Sequence, residues 1–347
     1  MGSKKYQALL YATLAAVFYA INIPVSKLLL RGIAPTAMAA LLYLGAGIGV
    51  GILALVNRKE ATQAESLSKQ DLPYVIGMIV LDIAAPILLM LGISHGTSAN
   101  ASLLGNFEIV ATAIIALLIF KETISKRLWG AIALISLSSV LLSFEGADSF
   151  KFSLGSLFVL LATTCWGLEN NCTRSIASKS TYQIVVLKGI FSGLGALVIT
   201  LIKGEAVPEL SYVLAAMLLG FLAYGLSIFM YVRAQNVLGA AKTSACYAVA
   251  PFVGAFLSFV FLRESLSWMY LIALAVMVAG SVLVVADTLI LSHTHSHEHT
   301  FVHTHDGTTH AHTVSHSHRH NHYLNEDKHA HHHDVAELEK LPGARHV

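Results

Sequence analysis

Residues Ser98–Leu142 read SANASLLGNFEIVATAIIALLIFKETISKRLWGAIALISLSSVLL, which is an apolar run, a short Lys121-Glu122 connection and a second apolar run. The same pattern returns 142 residues later, where Arg263-Glu264 takes the place of Lys121-Glu122. Further matches at this offset join Ala99 to Ala241, Ser102 to Ser244, Ala113 to Ala255, Ser125 to Ser267 and Ser139–Leu141 to Ser281–Leu283. The chain therefore contains two copies of a unit in which a basic residue and a glutamate connect two apolar helices.

The composition is typical of a polytopic membrane protein. Of the 347 residues, 55% are hydrophobic and 12% are charged, whereas about 25% of the residues are charged in a soluble protein. Apolar runs of roughly 20 residues, the length that crosses a bilayer as a helix, recur along the chain. A large soluble helical protein is not favoured.

Ten apolar runs predict ten transmembrane helices. The connections are short, except for the polar segment Asn57–Asp71. The predicted spans are Tyr6–Leu30, Pro35–Val56, Leu72–Ser94, Ser98–Phe120, Leu128–Phe144, Leu154–Thr173, Tyr182–Ile202, Leu210–Val232, Ala240–Leu262 and Leu266–Leu291.

The distribution of lysine and arginine predicts the orientation. With a cytoplasmic N-terminus, the outer connections hold only Arg31, Lys151, Lys203 and Arg263. The inner connections then hold Lys4, Lys5, Arg58, Lys59, Lys69, Lys121, Lys126, Arg127, Arg174, Lys179, Arg233 and Lys242. We therefore expect an inner-membrane protein with both termini in the cytoplasm.

The repeat and this orientation together predict two inverted halves. Five helices per copy is an odd number, so the Lys121-Glu122 connection faces inwards and the Arg263-Glu264 connection faces outwards. Secondary transporters use inverted repeats and bind substrate near the midplane between the halves. The expected fold is all-α, with a first repeat at 1–145, a second repeat at 146–291 and a cytoplasmic tail at 292–347.

The region Tyr6–Leu291 resembles the drug/metabolite transporter superfamily, in its ten-helix EamA-type branch. The resemblance rests on the doubled five-helix unit, the Trp166-Gly167 pair, the Ala250-Pro251 pair and the apolar-Glu endings Ile119–Glu122 and Phe261–Glu264. The corresponding family proline in the fourth helix is replaced here by Ile109. The resemblance implies a substrate cavity lined by helices one, three, four, six, eight and nine, but no particular substrate.

Ionisable residues inside the spans are the first candidates for function, because charge in hydrocarbon is costly unless it is paired or faces a polar cavity. Asp82 and Glu108 each lie roughly 15 Å into their helices, near the midplane. Glu169 and Lys188 occupy a similar level in the sixth and seventh helices, so they can form a pair. Such carboxylates can carry a proton or meet a cationic substrate group. Structural pairing is the alternative.

Four polar residues complete the predicted substrate or proton site. Asn22 and Asn106 can donate hydrogen bonds to a substrate, and Tyr224 and Tyr247 can line a cavity. Packing between helices is an equal alternative for all four. The helices contain no histidine pair with metal-ligand spacing, and His95 is their only histidine.

The tail contains all the remaining histidines, in His-x-His runs. Closely spaced imidazoles are ligands for zinc, nickel and cobalt. The few apolar residues predict disorder without metal. A merely polar solubilising tail is the alternative. The candidate ligands are His293, His295, His297, His299, His303, His305, His316, His318, His320 and His322.

These features favour a secondary transporter, and more specifically an exporter, of a small organic metabolite by alternating access. A divalent-metal transporter that captures metal with its tail is the second hypothesis, and a membrane enzyme or metal sensor is the third. No HExxH, GxSxG or glycine-rich phosphate loop is placed for cytoplasmic catalysis, so we expect no enzyme and no required cofactor. The expected partners are a small solute, the bilayer and divalent ions at the tail. We expect no nucleic acid and a monomer or homodimer.

Overall fold

The computed structural model describes residues 2–61, 65–121, 124–145, 151–176, 179–238, 243, 246–264, 267–288, 290–305 and 308–323. Thirteen helices are named here within those ranges: α1 Gly2–Leu29, α2 Pro35–Val56, α3 Arg58–Ala61, α4 Leu72–His95, α5 Ser98–Leu104, α6 Phe107–Phe120, α7 Lys126–Leu142, α8 Leu154–Ser175, α9 Thr181–Ile202, α10 Leu210–Gly220, α11 Ser227–Leu238, α12 Ala250–Leu262 and α13 Trp268–Thr288. A 3₁₀ turn spans Lys69–Asp71, and the strands are β1 Phe144–Glu145, β2 Lys151–Phe152, β3 Ile290–His305 and β4 Thr308–Tyr323.

Seven helical segments of the described chain are long and apolar enough to cross a membrane. They are Tyr6–Leu29, Pro35–Val56, Lys69–His95, Ser98–Ile119, Thr181–Ile202, Leu210–Tyr231 and Trp268–Asp287. Helices α7, α8 and α12 occupy the other three predicted spans. Two of them are short, with 17 residues in α7 and 13 in α12. Helix α8 has the polar sequence Glu169–Thr173 near its end. The total of ten spans stays a prediction.

The backbone repeats the sequence pattern at the ends of α6 and α12. Lys121 and Arg263 are the non-glycine residues of the described chain with positive φ, 55° and 52° respectively. They stand 142 residues apart, and each follows the last residue of its helix. A left-handed conformation costs roughly 1–2 kcal/mol for a residue with a Cβ. Its recurrence at equivalent positions indicates that the two halves share their local structure.

The fourth and ninth spans are interrupted near their middles. Helix α5 ends at Leu104 and α6 begins at Phe107, with turns at Gly105 and Asn106 between them. In the ninth span, turns at residues 248–249 precede α12, which has Pro251 in its first turn. The predicted span Ser98–Phe120 is therefore present as Ser98–Ile119, with this turn inside it. At Gly105–Asn106 the dihedral angles stay helical and the backbone hydrogen bonds change to the shorter i→i+3 spacing, with Asn106 N donating to Leu103 O and Glu108 N donating to Gly105 O.

The eighth span contains a second irregularity. Residues Phe221–Leu226 form a π-helical segment between α10 and α11. Insertion of an extra residue per turn rotates the side chains that follow, and π segments are frequent at functional sites. Tyr224 lies within this segment and is buried.

Helices of the first half pack against helices of the second throughout the unit that comprises residues 1–287. The main pairs are α2 with α9, α4 with α8, α1 with α11 and α12, and α6 with α8. The buried apolar core includes side chains from both halves, among them Met38, Leu89, Leu103 and Ile135. The buried core therefore lies at the contact between the halves.

The tail, residues 288–347, forms a second unit. Helix α13 ends at Thr288, three residues before the predicted end, and β3 and β4 form an antiparallel hairpin. The prediction of a disordered tail differs from the structure over these two strands. The reason is the His-x-His spacing, because alternation with serine, threonine and valine has the period-2 pattern of a strand.

Candidate functional site

An ion network at the midplane joins three helices. Lys188 Nζ on α9 lies 3.1 Å from Asp82 Oδ2 on α4 and 3.1 Å from Glu169 Oε2 on α8. Asp82 is fully buried, and Glu169 is 1% exposed. Thr173 donates a hydrogen bond to the second carboxylate oxygen of Glu169. One ammonium group therefore forms ion pairs with two carboxylates that come from opposite halves of the chain.

Tyr43 and Trp166 extend this network. The Tyr43 hydroxyl on α2 donates to Asp82 Oδ1 at 2.8 Å, and Trp166 Nε1 on α8 donates to the Tyr43 oxygen at 3.4 Å. Both aromatic side chains are buried. Asp82 thus has a partner for each oxygen, which offsets part of the cost of burying its charge.

A close crossing of α2 and α9 places Lys188. Its neighbour Gly189 faces Gly47, and a Cβ on Gly189 would lie 2.4 Å from the Gly47 Cα. Only residues without side chains permit this approach, which is a common means of packing helices in membranes. The crossing brings the α9 backbone close enough for the Lys188 side chain to reach both carboxylates.

A second polar cluster surrounds Glu108. Asn170 Nδ2 on α8 donates to Glu108 Oε1 at 2.6 Å and lies 3.4 Å from Thr112 Oγ1. Gly167 permits this contact, because a Cβ there would lie 2.6 Å from the Ala111 Cβ. Glu108 stands in the first turn of α6, directly after the break. The amides of Glu108 and Ile109 donate to Gly105 O and Asn106 O, each at 3.1 Å.

A third polar pair links α1 to the π segment. Asn22 Nδ2 donates to the Tyr224 hydroxyl at 2.8 Å, and Ser26 donates to Asn22 Oδ1 at 3.1 Å. Both Asn22 and Tyr224 are buried. The pair joins the first helix of one half to the third helix of the other.

Tyrosine rings connect the ion network to the Asn22–Tyr224 pair. Ring centroids lie 5.3 Å apart for Tyr43 and Tyr224, 6.1 Å for Tyr224 and Tyr19, 5.5 Å for Tyr19 and Tyr247, and 5.2 Å for Tyr247 and Tyr231. These separations are within the range of favourable aromatic contact. The rings therefore form a continuous series that starts at the ion network.

The predicted site residues fall into different groups. The structure brings Asp82, Glu169 and Lys188 together. It places Glu108 with Asn170, and it places Tyr224 with Asn22. Tyr247 contacts Ser227 at 3.2 Å. Asn106 is buried, and its side-chain amide donates to Leu103 O in its own segment at 3.2 Å. Their binding of substrate or protons stays a prediction.

Sequence reasoning missed Tyr43 and Asn170 as members of the site. Tyr19 was not predicted either, and Trp166 entered only through the Trp166-Gly167 pair of the family resemblance. Tyr43 is the only large polar side chain of α2, which is otherwise apolar and glycine-rich. That isolation inside a span was the signal available in the sequence.

The tail histidines are paired by backbone register. Cα partners across the hairpin are His293 and His320, His295 and His318, His297 and His316, and His303 and His310. In the rest of the described chain, no three histidine, cysteine, aspartate or glutamate side chains form a group that could hold a metal ion. Metal binding by the tail stays a prediction.

The apolar helices, the doubled fold and the buried polar midplane define a multi-pass membrane transporter. The model of the EamA-like transporter family matches residues 7–144 and again residues 153–286. The chain belongs to the EamA-like transporter family. This agrees with the resemblance to the drug/metabolite transporter superfamily.

Two relatives and one solved structure show how far the similarity extends. An uncharacterized transporter of Methanothermobacter thermautotrophicus is 27% identical over 285 residues, 77% of this chain and 82% of the relative. The uncharacterized transporter YyaM of Bacillus subtilis is 21% identical over 258 residues, 70% of this chain and 82% of YyaM. One crystal structure shares the fold, with a TM-score of 0.60 and 16% identity over 81% of this chain and 96% of its own.

Proposed function

We propose that this protein is a secondary transporter that exports a small organic metabolite across the inner membrane by alternating access, with both termini in the cytoplasm. The observation that carries the proposal is the position of Lys188 between Asp82 and Glu169. The two carboxylates belong to opposite halves, so movement of one half against the other changes their distances to the ammonium group. An ion network of this kind can bias two conformations.

The energy source in this proposal is a proton gradient. The sequence contains no ATP-binding motif, and no cofactor is required. The group of Asp82, Glu169 and Lys188 holds two acids for one base. Uptake of one proton by a carboxylate neutralises it, and buried groups favour the neutral state. Protonation would therefore weaken one of the two contacts to Lys188 and couple proton movement to the conformational change.

The test is transport in proteoliposomes with an imposed pH gradient. Asp82→Asn and Glu108→Gln should each abolish or uncouple transport while expression and the unfolding temperature in detergent remain close to those of the wild type. Glu209→Gln removes an exposed carboxylate in the loop between α9 and α10 and is the matched control. If both midplane variants transport at the wild-type rate and with the same pH dependence, the carboxylates are structural and the proposal fails.

A divalent-metal transporter is the second candidate, and the cross-strand histidine pairs of the tail favour it. We propose that these histidines bind zinc, nickel or cobalt. Imidazole must be deprotonated to bind metal, so the metal affinity of the tail should fall as the pH drops through about 6.5.

Truncation after Ser292 distinguishes the two functions. Under the first function, it leaves solute transport in metal-free buffer unchanged and removes any effect of added zinc. If truncation instead reduces a flux of radioactive zinc, and no organic solute moves, then the second function is correct.

A further inference from the structure

Tyr43 holds one oxygen of Asp82 by a hydrogen bond whose direction is fixed. The indole N–H of Trp166 can only donate, so the Tyr43 oxygen accepts from it at 3.4 Å. A phenol hydroxyl has a single hydrogen, and Asp82 Oδ1, 2.8 Å away, is the other described partner of Tyr43. The hydrogen of Tyr43 therefore points to Asp82 Oδ1.

The other oxygen of Asp82 is held differently. Oδ2 lies 3.1 Å from the Lys188 ammonium nitrogen, at ion-pair distance, but among the described residues it accepts no well-aligned hydrogen bond. The same ammonium group lies 3.1 Å from Glu169 Oε2, and Glu169 also accepts a hydrogen bond from Thr173. Lys188 therefore keeps a second, hydrogen-bonded partner when its contact with Asp82 is lost.

These contacts decide which oxygen of Asp82 binds a proton. A proton on Oδ1 would face the hydrogen of Tyr43, and Tyr43 cannot turn that hydrogen towards the Trp166 N–H, which is not an acceptor. A buried hydroxyl would then lack a partner, which is unfavourable. A proton on Oδ2 leaves the bond from Tyr43 to Oδ1 intact. It also places a hydrogen against the Lys188 ammonium group, so that contact is lost.

Titratable and charged side chains surround Asp82 and Lys188 from several elements. They are Tyr43 on α2, Glu108 on α6, Glu169 on α8, Lys188 on α9 and Tyr224 in the π segment. Lys27 on α1 instead contacts Ile93 O near the end of α4. Tyr43 is the neutral member of this set for which a hydrogen bond to Asp82 is described. Control of the Asp82 oxygens by a neutral donor therefore falls to Tyr43.

We propose that Tyr43 is a positioning residue that directs the incoming proton to Asp82 Oδ2 and thereby couples proton uptake to the release of Lys188. The inference rests on the proposed proton-driven transport and assigns its coupling step. The proton comes from the aqueous side with the higher proton concentration, and an O–H bond forms at Oδ2. Lys188 remains an ammonium group paired with Glu169. The net charge of the three groups changes from one negative charge to none.

Infrared difference spectroscopy of the full-length protein in lipid nanodiscs tests the position of the proton. Labelling with [4-¹³C]aspartate identifies the carbonyl band that forms on acidification from pH 8 to pH 5, and Asp82→Asn should remove it. In Tyr43→Phe the proton can bind Oδ1, and the Oδ2 carbonyl then accepts from Lys188. A charged donor forms the stronger hydrogen bond, so we expect the band at a lower wavenumber than in the wild type. A tyrosine that only supports the helices would leave the carbonyl without its donor and raise the wavenumber.

Hydrogen–deuterium exchange of the same samples measures the coupling. In the wild type, acidification should change backbone exchange at the ends of α4 and α9 by roughly 10-fold, after correction for the intrinsic effect of pH. Tyr43→Phe should gain the aspartic acid band but lose most of this response, with the unfolding temperature as the check on folding. Trp166→Phe frees Tyr43 to reverse its hydrogen and should show both effects in part. Tyr74→Phe, which removes an exposed hydroxyl on α4, is the matched control.

The inference is overturned if the aspartic acid band survives Asp82→Asn, if Tyr43→Phe raises its wavenumber, or if Tyr43→Phe keeps the wild-type exchange response. In each of these cases, an exchange response of the wild type to acidification leaves the proton-driven transporter in place. A wild type that gains the Asp82 band without any change in exchange has a different meaning. That result rejects the coupling of protons to movement, and it rejects the role of Tyr43 as well.

Discussion

Lys188 is the residue on which the buried charges of the midplane depend. Its ammonium group lies between two carboxylates that are almost entirely buried, and each carboxylate has one further hydrogen bond from a neutral hydroxyl. A buried pair adds little net stability compared with apolar residues of the same size, but loss of the only base leaves two buried carboxylates uncompensated, whereas loss of Asp82 leaves the Lys188–Glu169 pair. The network therefore makes these three positions interdependent.

We expect Lys188→Met to destabilise the protein by about 3–5 kcal/mol, the range for removal of one partner from a buried ion pair. The triple variant Asp82→Asn, Lys188→Met and Glu169→Gln should recover most of this loss, because it leaves no buried charge. Thermal unfolding in detergent, followed by tryptophan fluorescence, measures both.

Lys179→Met provides the control, because Lys179 forms ion pairs outside the helices, with the exposed Glu65 and, at 4.0 Å, with Asp71. It should change the unfolding temperature much less than Lys188→Met does. Equal effects of the two substitutions, or a triple variant as unstable as Lys188→Met, would contradict the interdependence of the three residues.

At the scale of elements, the crossing of α2 and α9 depends on two glycines. Gly189→Ala places a Cβ 2.4 Å from the Gly47 Cα, so the helices must separate. Overpacking of this kind costs roughly 1–3 kcal/mol. We expect a lower unfolding temperature and weaker transport, because Lys188 moves with its helix.

Gly51→Ala on α2 is the matched control for this crossing. A Cβ at Gly51 would meet its nearest neighbour, Val186 Cγ2, at the ordinary contact distance of 3.9 Å. The Gly51→Ala variant should have an unfolding temperature equal to or above that of the wild type, because alanine stabilises a helix relative to glycine. A Gly189→Ala variant as stable as Gly51→Ala would show that the helices can separate without cost.

The start of α2 depends on a carboxylate from the other half. Glu205 accepts hydrogen bonds from the Ala37 amide at 3.0 Å and from Lys203 at 2.7 Å. Burial by itself would raise the pKa of Glu205, but the hydrogen bonds from Lys203, Thr36 and the Ala37 amide together lower it. A pKa lowered by folding means that the ionised form stabilises the folded state.

The stabilisation from Glu205 should be complete above the ordinary glutamate pKa of about 4.3 and should be lost as the pH falls through the lower folded pKa. We therefore expect Glu205→Gln to lower the unfolding temperature at pH 6 and to lose less stability than the wild type on acidification to pH 3. Unfolding temperatures measured from pH 3 to 6 test this. Glu209→Gln, in the same loop but exposed, should follow the wild-type curve.

The sequence predicts the helices well and their irregularities poorly. Helix α2 begins and ends at the predicted residues, and α9 begins one residue early. The break at Gly105–Asn106 and the π segment were not predicted, because apolar composition continues through both. Depth along a helix identifies Asp82 and Glu108. It does not tell which helices are neighbours or how they are rotated, so the contact of Asp82 with Lys188 required the structure.

At the scale of the whole molecule, the two halves share backbone features at equivalent positions. Lys121 and Arg263 have the same left-handed conformation, and the fourth and ninth spans are both interrupted. Their orientation in the membrane stays a prediction from the distribution of basic residues. An odd number of helices per half requires the two loops to face opposite sides.

Reporter fusions test this orientation. Alkaline phosphatase is active outside the cytoplasm, and a fluorescent protein folds inside it. We expect a fusion after Lys121 to report the cytoplasm and a fusion after Arg263 to report the outer side. Matching signals from the two fusions would reject the inverted arrangement.

The halves are alike in shape but not in charge. The first helices of the two halves align at an offset of 147, which places Tyr19-Ala20 on Trp166-Gly167 and Lys27 on Arg174. At this offset Asn22 corresponds to Glu169, and at the offset of 142 Asp82 corresponds to Tyr224. The Asn22–Tyr224 hydrogen bond is thus the neutral counterpart of the contact that Lys188 makes between Glu169 and Asp82. Two perfectly equivalent inverted halves would give inward-open and outward-open states of equal energy. Here the charges lie on one side of the pseudo-twofold axis. We therefore expect the inward-open and outward-open states to differ in energy, and the transporter without substrate to adopt mainly one of them.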